Sequence, residues 1–186
     1  IKSRKGIAVF LALLVCLSGC AGTHQSSGSY NIYLIAKSAT TEFWKSVFAG
    51  ANAAKSEYNV QLTILAPDTE EDFEAQNDYI RQAVADGADA IVFSAISYTE
   101  NAAAIDEAVA AGVRLGVIHN DVDDTGASVR IGTDNVAAGR MSGEAALKTA
   151  QEKIVVGIVN AYAETQNCRE REQGFREVLL GDSRVK

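Results

Sequence analysis

From residue 30 onward, apolar positions switch repeatedly between a continuous and a helical pattern. Short apolar runs rich in β-favouring residues predict four strands, at Tyr30–Ala36, Val60–Leu65, Ala90–Phe93 and Leu115–Ile118. Apolar residues at helical spacing predict the helices between them, at Glu42–Tyr58, Glu70–Asp86 and Thr99–Ala111. Because the strands begin near residues 30, 60, 90 and 115, a βα unit recurs with short loops. This repeat predicts an α/β fold with a parallel, doubly wound sheet.

The alternation continues in the second half of the chain. Two further strands are predicted, at Val129–Ile131 and Ile154–Val159. Two further helices are predicted, at Asn135–Gln151 and Gln166–Leu180. The pattern indicates that a second α/β unit begins after the first.

The stretch from Tyr30 to Phe48 combines a buried strand, a polar turn and the start of a helix. Small hydroxyl residues in the turn, Thr41 among them, are suited to cap that helix. Phe43 and Trp44 are adjacent and lie about 100° apart around a helix, so both cannot lie flat in the same core. We expect one of them to lean over the carboxyl end of the strand, where open α/β sheets bind ligands.

The first twenty residues differ in kind from the rest. Three basic residues precede an apolar run from Ile7 to Leu17, which is too short for a membrane span but typical of a signal peptide. The run ends in Leu-Ser-Gly-Cys, which resembles the bacterial lipobox and predicts lipid modification of Cys20. The alternative is an ordinary secretory signal with a chance cysteine. Residues 21–29 are small and polar and predict a flexible tether.

Charge and cysteine content narrow the function classes. The whole chain has a formal charge of −7, and residues 21–186 contain 14 basic and 24 acidic residues, a charge of −10. An acidic surface without a basic stripe argues against binding to nucleic acid. Cys168 is the one cysteine after the predicted signal, so residues 21–186 offer no internal disulfide.

Motifs for catalysis, nucleotides and metals are missing from the sequence. It contains no phosphate-binding glycine loop, no zinc-protease motif and no paired cysteines of a zinc site. A catalytic pairing of Cys168 with His119 is conceivable, but nothing local marks the cysteine as a nucleophile. Asp121, Asp123 and Asp124 lack the glycine and distal glutamate of a calcium loop, which favours a solvated acidic turn. We therefore predict no enzyme activity, no metal and no cofactor.

Four polar turns are predicted to meet at one edge of the fold. Three follow strands, and the fourth starts the last helix: Ser38–Trp44, Ile118–Asp121, Gly132–Asn135 and Asn167–Arg171. Aromatic faces suit the C–H face of a sugar ring, while amide, carboxylate and guanidinium groups bind adjacent hydroxyls. Helix capping explains some of these residues equally well. Together, the four turns favour a site for a polyhydroxyl ligand.

Five segments in this order resemble the periplasmic sugar-binding proteins of the ribose and galactose type. The segments are TTEFWKSVFAGANAAKSE, QNDYIRQAVADGADAIVFSAIS, AVAAGVRLGVIHNDV, IGTDNVAAGRMSGE and CREREQGFREVL. The resemblance runs from about Tyr30 to the end of the chain. It implies two α/β lobes joined by a hinge, with a sugar-binding cleft that closes between them.

The resemblance also implies a set of ligand-binding residues. Thr41, Phe43 and Trp44 match the polar residue and aromatics of the family's first turn. Arg169 matches the arginine that binds the ligand from the second lobe.

The third motif departs from the family's pattern. In the family, the strand before this turn usually ends in aspartate followed by a polar or basic residue. Here those positions carry His119 and Asn120, with Asp121 next, which argues against a simple ribose assignment. Asp134 and Asn135 lie where the chain leaves the first lobe, and we interpret them as hinge and helix cap.

We therefore expect a signal peptide at 1–20, a tether at 21–29, a first lobe at 30–134 and an incomplete second lobe at 135–186. The predicted function is an extracytoplasmic, lipid-anchored binding protein that delivers a sugar or related polyol to the permease of an ABC importer. One alternative is a sensory module that signals to a chemoreceptor or histidine kinase. A transcription regulator of the same fold would need a helix-turn-helix where the signal peptide stands. A nucleoside or a furanose signal is an alternative ligand.

Overall fold

The computed structural model describes residues 29–123, 126–149, 152–160 and 165–185. Ten elements lie in these ranges: β1 (Asn31–Ile35), α1 (Glu42–Tyr58), β2 (Gln61–Leu65), α2 (Phe73–Ala85), β3 (Ala90–Phe93), α3 (Ala102–Ala110), β4 (Arg114–Ile118), β5 (Ala127–Ile131), α4 (Asn135–Thr149) and α5 (Gln166–Leu180). The predicted signal peptide, Cys20 and nearly all of the predicted tether lie outside the described residues. Among the described residues, no helix has the length and apolar character needed to cross a membrane.

The five strands form one parallel sheet in the order β2-β1-β3-β4-β5. Helices connect β1 to β2, β2 to β3 and β3 to β4, as the repeating βα pattern predicts. The predicted α/β class with a parallel sheet is therefore confirmed. In a parallel sheet, all strands end at the same edge, so the loops that follow β1, β3, β4 and β5 lie near one another.

The main core lies between one face of the sheet and helices α2 and α3. Alternate strand residues such as Ile35, Phe93 and Val117 point to this face and are almost fully buried. They pack against Ile80 of α2 and Ile105 of α3, which are both fully buried. This packing holds β1, β3 and β4 in the centre of the sheet.

A buried amide joins the carboxyl ends of two central strands. Gln76 of α2 has no exposed surface, and its Nε2 donates to the carbonyl oxygens of Ala36 at 2.8 Å and Ser94 at 2.9 Å. Its Oε1 accepts from the backbone N–H of Ile96 at 2.9 Å. The side chain thus uses both ends of its amide, and it fixes the two loops beside the site described below.

Helices α4 and α5 pack closely against each other through glycines. A Cβ atom at Gly139 of α4 would collide with the backbone of Arg171, and one at Gly174 of α5 would collide with the backbone of Val136. Both glycines are buried. The small size of these residues therefore allows the two backbones to approach.

The predicted strand at Ile154–Val159 does not form a strand in the structure. Ile154 makes a single parallel bridge to Val185, and Val155 and Val159 are exposed. A strand needs a neighbour to accept and donate its backbone hydrogen bonds, and the described residues place no full strand beside this segment. An apolar run alone was therefore insufficient to predict this element.

Replacing the packed glycines should destabilise the helix pair. We expect Gly139→Ala and Gly174→Ala each to lower the free energy of unfolding by about 1–3 kcal/mol, because the added methyl group collides with backbone. Gly50→Ala in α1 is the matched control, since a Cβ there meets no atom within 4 Å. It should leave stability unchanged or raise it by up to about 1 kcal/mol. Urea unfolding followed by circular dichroism measures all three, and equal effects would contradict the close approach.

Candidate functional site

The loops at the carboxyl edge of the sheet and the start of α5 border an open cavity of about 130 Å³. It is lined by the turns that follow β4 and β5 and by residues of the first turn of α5. Three of the four polar turns that the sequence predicted to converge meet at this cavity. The fourth, between β1 and α1, reaches it through contacts between aromatic rings.

The turn between β1 and α1 is held by hydroxyl groups. Thr41 has an extended backbone and caps α1, its Oγ1 accepting from the N–H of Trp44 at 3.4 Å. Ser38 and Thr40 both donate to the carbonyl oxygen of Asp68, at 3.3 and 3.1 Å. These hydrogen bonds connect the turn to the loop that follows β2. They hold the backbone that precedes the aromatic pair in place.

Trp44 is the buried member of that pair. Its ring is 1% exposed, and its Nε1 donates to Oε1 of Glu70 at 2.9 Å. The other oxygen of Glu70 lies 2.9 Å from Nζ of the buried Lys37. One carboxylate therefore satisfies both the indole and the lysine, which locks the Trp44 ring in place.

Burial by itself would raise the pKa of Glu70. The hydrogen bond and positive charge of Lys37, and then the bond from Trp44, outweigh this effect and hold the pKa below its ordinary value. Glu70 is therefore charged at neutral pH. Its negative charge offsets the positive charge of the buried Lys37.

Phe43 is the exposed member of the pair, with 53% of its surface accessible. Its ring lies 5.0 Å from the ring of His119, centroid to centroid, and 5.1 Å from that of Trp44 in an edge-on arrangement. His119 also meets Trp44 edge-on at 5.7 Å. The first and second predicted turns thus form one cluster of three rings, with Phe43 exposed and Trp44 buried.

His119 has a backbone conformation that is unusual for a side chain other than glycine. Its φ is +61°, and the N–H of Asn120 donates to the carbonyl oxygen of Ile118 across it at 2.7 Å. This is a tight three-residue turn, which costs backbone strain. The N–H of His119 also donates to Ile131 of β5 at 3.0 Å, so pairing between strands maintains the turn.

The surroundings of His119 disfavour its protonation. Loss of hydration lowers the pKa of the imidazole first, and the positive charge of Lys37 lowers it further. Glu70 opposes this shift and Arg171 adds to it, so the pKa lies below its ordinary value of 6.5. His119 is thus neutral at pH 7 and offers both a donor and an acceptor nitrogen.

Asn120 and Asp121 lie at the wall of the cavity. Asn120 is 2% exposed, and its Nδ2 donates to the carbonyl oxygen of Ala95 at 3.3 Å. Its Oδ1 is buried and has no hydrogen-bond partner among the described residues. Asp121 accepts from Nε of Arg130 at 3.0 Å and from the N–H of Val122 at 2.9 Å. The cavity wall therefore contains a neutralised ion pair beside an unused amide oxygen.

The start of α5 contributes further polar side chains. Gln166, Asn167 and Glu170 line the cavity. Nε2 of Gln166 donates to Oε1 of Glu170 at 2.6 Å, while Oε1 of Gln166 and Oδ1 of Asn167 are buried and unpartnered in the described part of the chain.

Comparison with known proteins connects this arrangement to a family. The family model described as a periplasmic binding protein domain matches residues 32–186. The chain belongs to the periplasmic binding protein family. The resemblance stated from the sequence is thereby confirmed.

The curated relatives of this periplasmic binding protein are named for sugars. The D-apiose import binding protein of Actinobacillus succinogenes is 29% identical over 170 residues, covering 90% of this chain and 54% of that protein. The D-ribose/D-allose-binding protein of Pseudomonas aeruginosa is 25% identical over 156 residues, covering 80% and 49%. The chain thus spans about half the length of these relatives. Both are named as binding proteins, in agreement with the prediction that this chain is not an enzyme.

A solved structure agrees with the fold. The carbohydrate transporter solute-binding protein of Agrobacterium radiobacter, in complex with D-arabinose, superposes with a TM-score of 0.78 at 27% identity. The match covers 87% of this chain and 56% of that protein.

Some predicted residues of this binding protein lie away from the cavity. Arg169 is exposed on α5, in a surface depression that it shares with Glu172 and Gln173, and it does not line the cavity. Asp134 caps α4 by accepting from the N–H of Ala137 at 2.9 Å. Asn135 lines the cavity and accepts from Nε of Arg171 at 2.9 Å. The roles of Arg169 as a clamp and of Asp134 and Asn135 as a hinge stay predictions.

Neither a metal centre nor a cysteine site emerges from the described residues. They contain no group of three or more histidine, cysteine or acidic side chains that would hold a metal ion. Cys168 is partly buried on α5, where its carbonyl oxygen accepts from Asn160 at 3.4 Å.

Sequence reasoning missed several polar residues of this region. Lys37 directly follows the predicted apolar strand. A charged residue at the carboxyl end of a strand is itself an indication of a site, and it was overlooked. Gln166 precedes the fourth polar turn and Glu170 lies in it, but the sequence analysis selected Arg169, which lies between them. Glu70 comes from a different loop, and no local pattern connects it with Trp44.

The strain at His119 can be measured. Glycine adopts a positive φ without steric cost, so we expect His119→Gly to be more stable than His119→Ala by about 1 kcal/mol. Both variants lose the same ring contacts, so the difference isolates the backbone. Thermal unfolding of the two proteins measures it. Equal stability would show that the turn is not strained.

Proposed function

We propose that the full-length protein is an extracytoplasmic lipoprotein that captures a sugar or related polyol between two lobes and delivers it to an ABC importer. The observation that carries this proposal is the exposed Phe43 ring beside His119 at the carboxyl edge of the sheet, next to a cavity lined by polar side chains. No catalytic step is part of the proposed function.

A sugar suits both parts of this surface. The apolar C–H face of the ring would lie against Phe43, and its hydroxyls would reach the neutral imidazole of His119 and the amide of Asn120. Asp121 is already paired with Arg130, so the wall favours a neutral ligand over a charged one. The names of the D-apiose and D-ribose/D-allose relatives support the same ligand class.

Binding would close the cleft. We propose that residues 30–134 form the first lobe, that residues 135–186 belong to the second, and that Asp134 and Asn135 lie at the hinge. A ligand that contacts both lobes binds the closed form more tightly and shifts the equilibrium toward it. The permease would then recognise the closed form, which suits a protein whose relative is named for import.

The binding proposal is tested on the full-length protein with D-ribose, D-arabinose, D-apiose, hexoses, polyols, nucleosides and amino acids. We expect one sugar class to raise the melting temperature, since a ligand at 100 times its dissociation constant adds about 2.7 kcal/mol of stability. Phe43→Ala should weaken binding of that sugar by about tenfold, a loss of about 1.4 kcal/mol.

Tyr30→Ala is the matched control, because Tyr30 is equally exposed but precedes β1 and so lies at the opposite edge of the sheet. It should leave the affinity unchanged. Stabilisation by a nucleoside or amino acid alone would overturn the ligand class. If Phe43→Ala binds the sugar with unchanged affinity, the aromatic surface is not part of the binding site.

We also propose that Cys20 carries the lipid anchor, on the strength of the basic start, the apolar run and the Leu-Ser-Gly-Cys sequence. Cells that express the protein should incorporate labelled palmitate into it, and Cys20→Ser should abolish the label and release the protein from membranes. Cys16→Ser is the control and should keep the label. A protein that is secreted without lipid would favour the ordinary signal peptide.

A further inference from the structure

Trp44 contacts both other rings of the aromatic cluster, although its own ring is buried. Its plane stands at 84° to that of Phe43 and at 84° to that of His119, with centroids 5.1 and 5.7 Å apart. The indole is 1% exposed, whereas the side chains of Phe43 and His119 are exposed. A ligand can therefore contact the two exposed rings, and the buried indole supports both of them.

A hydrogen bond from outside the cluster orients this indole. Nε1 of Trp44 donates to Oε1 of Glu70 at 2.9 Å, and Glu70 lies in the loop between β2 and α2. Aromatic rings pack favourably at more than one angle, whereas a hydrogen bond to a carboxylate is short and directional. The bond to Glu70 therefore selects one orientation of the indole.

The carboxylate of Glu70 is itself held in place. Its Oε2 lies 2.9 Å from Nζ of Lys37, which directly follows β1 and is 3% exposed. The N–H of Ala39 donates to the carbonyl oxygen of Pro67 at 2.8 Å, which connects the two loops that carry these charges. A carboxylate restrained at both oxygens cannot follow a ring that turns, so it determines where the ring lies. Glu70 does not line the cavity.

We propose that Glu70 is a positioning residue of the binding site, which acts on a sugar without touching it by fixing the Trp44 ring behind the two exposed rings. This inference rests on the proposed function. A buried indole N–H that loses its acceptor gains from any rotation that finds another one. The exposed rings would then vary in angle, and a sugar would lose more entropy on binding to them.

Two double variants separate the acceptor from the ion pair. Lys37→Met/Glu70→Gln is the acceptor form, because its amide oxygen can still accept from the indole. Lys37→Met/Glu70→Met is the acceptor-free form, with an unbranched side chain of similar length. Both remove the two charges together, so neither leaves a buried charge without its partner. We expect the acceptor form to bind sugar more tightly than the acceptor-free form by about threefold or more. Calorimetry on the full-length protein with D-ribose, D-arabinose and D-apiose measures the difference.

Trp44→Phe completes the comparison, because it removes the indole N–H and keeps an aromatic ring. In this background the acceptor and acceptor-free forms should bind the sugar equally, since the acceptor has no donor left. A difference that persists would mean that residue 70 acts on the ligand by another route, which overturns the positioning role. If the acceptor-free form does not fold, Trp44→Phe alone breaks the same hydrogen bond, and an unchanged affinity in it overturns the proposal.

The matched control is Glu71→Met, in the same loop. Glu71 is exposed, and its carbonyl oxygen accepts from the N–H of Phe73 at 3.1 Å, a bond that the substitution leaves in place. This variant should bind like the wild type. An equal loss of affinity in it would show that the loop, and not the Glu70 carboxylate, is responsible.

The position of the rings can also be followed without a ligand. Nuclear magnetic resonance detects the ring protons of His119, which are assigned by their loss in His119→Ala. Their signals depend on the angle of the nearby indole ring. We expect them to shift or broaden in the acceptor-free form relative to the acceptor form.

The outcomes distinguish this proposal from the proposed function. If the wild type binds a sugar and the two double variants bind it equally, Glu70 has no positioning role and sugar binding stands. Identical His119 signals in the two double variants overturn the positioning role whether or not a sugar binds. If no sugar binds the wild type, the proposed function fails, and the effect of Glu70 on affinity fails with it.

Discussion

The structure depends on the parallel direction of its five strands. Three crossover helices, and a loop between β4 and β5, return the chain to the same end of the sheet, so all five strands finish at one edge. Residues far apart in sequence, such as Phe43 and His119, meet there as a direct consequence. Gln76 reinforces this edge by bonding the ends of β1 and β3 together.

The site combines a rigid wall with unused hydrogen-bonding capacity. Glu70 satisfies Trp44 and Lys37 at once, and that part of the surface has little freedom to rearrange. The amide oxygen of Asn120, in contrast, is buried without a partner. A binding protein benefits from the fixed part of this surface, because groups that are already held in place reduce the entropy lost on binding.

Sequence patterns located most helices and strands closely, including the exact bounds of α1 and α5. Local capping and periodic burial determine such elements, so the information lies within each segment. Ile154–Val159 was predicted wrongly because a strand also requires a partner from elsewhere in the chain. The four polar turns were identified, and Arg169 of the last turn lines a separate surface depression, so its role as a ligand clamp stays a prediction.

The sequence by itself determined the α/β class, the order of the elements and the family, because apolar periodicity and motif order are properties of the chain. Only the tertiary structure decided which of the two adjacent aromatics is buried, since the Trp44 nitrogen needs an acceptor and Glu70 supplies it from another loop. The same holds for the buried amide oxygen of Asn120, which has no hydrogen-bond partner among the described residues, because hydrogen-bond satisfaction becomes defined only when all neighbours are in place.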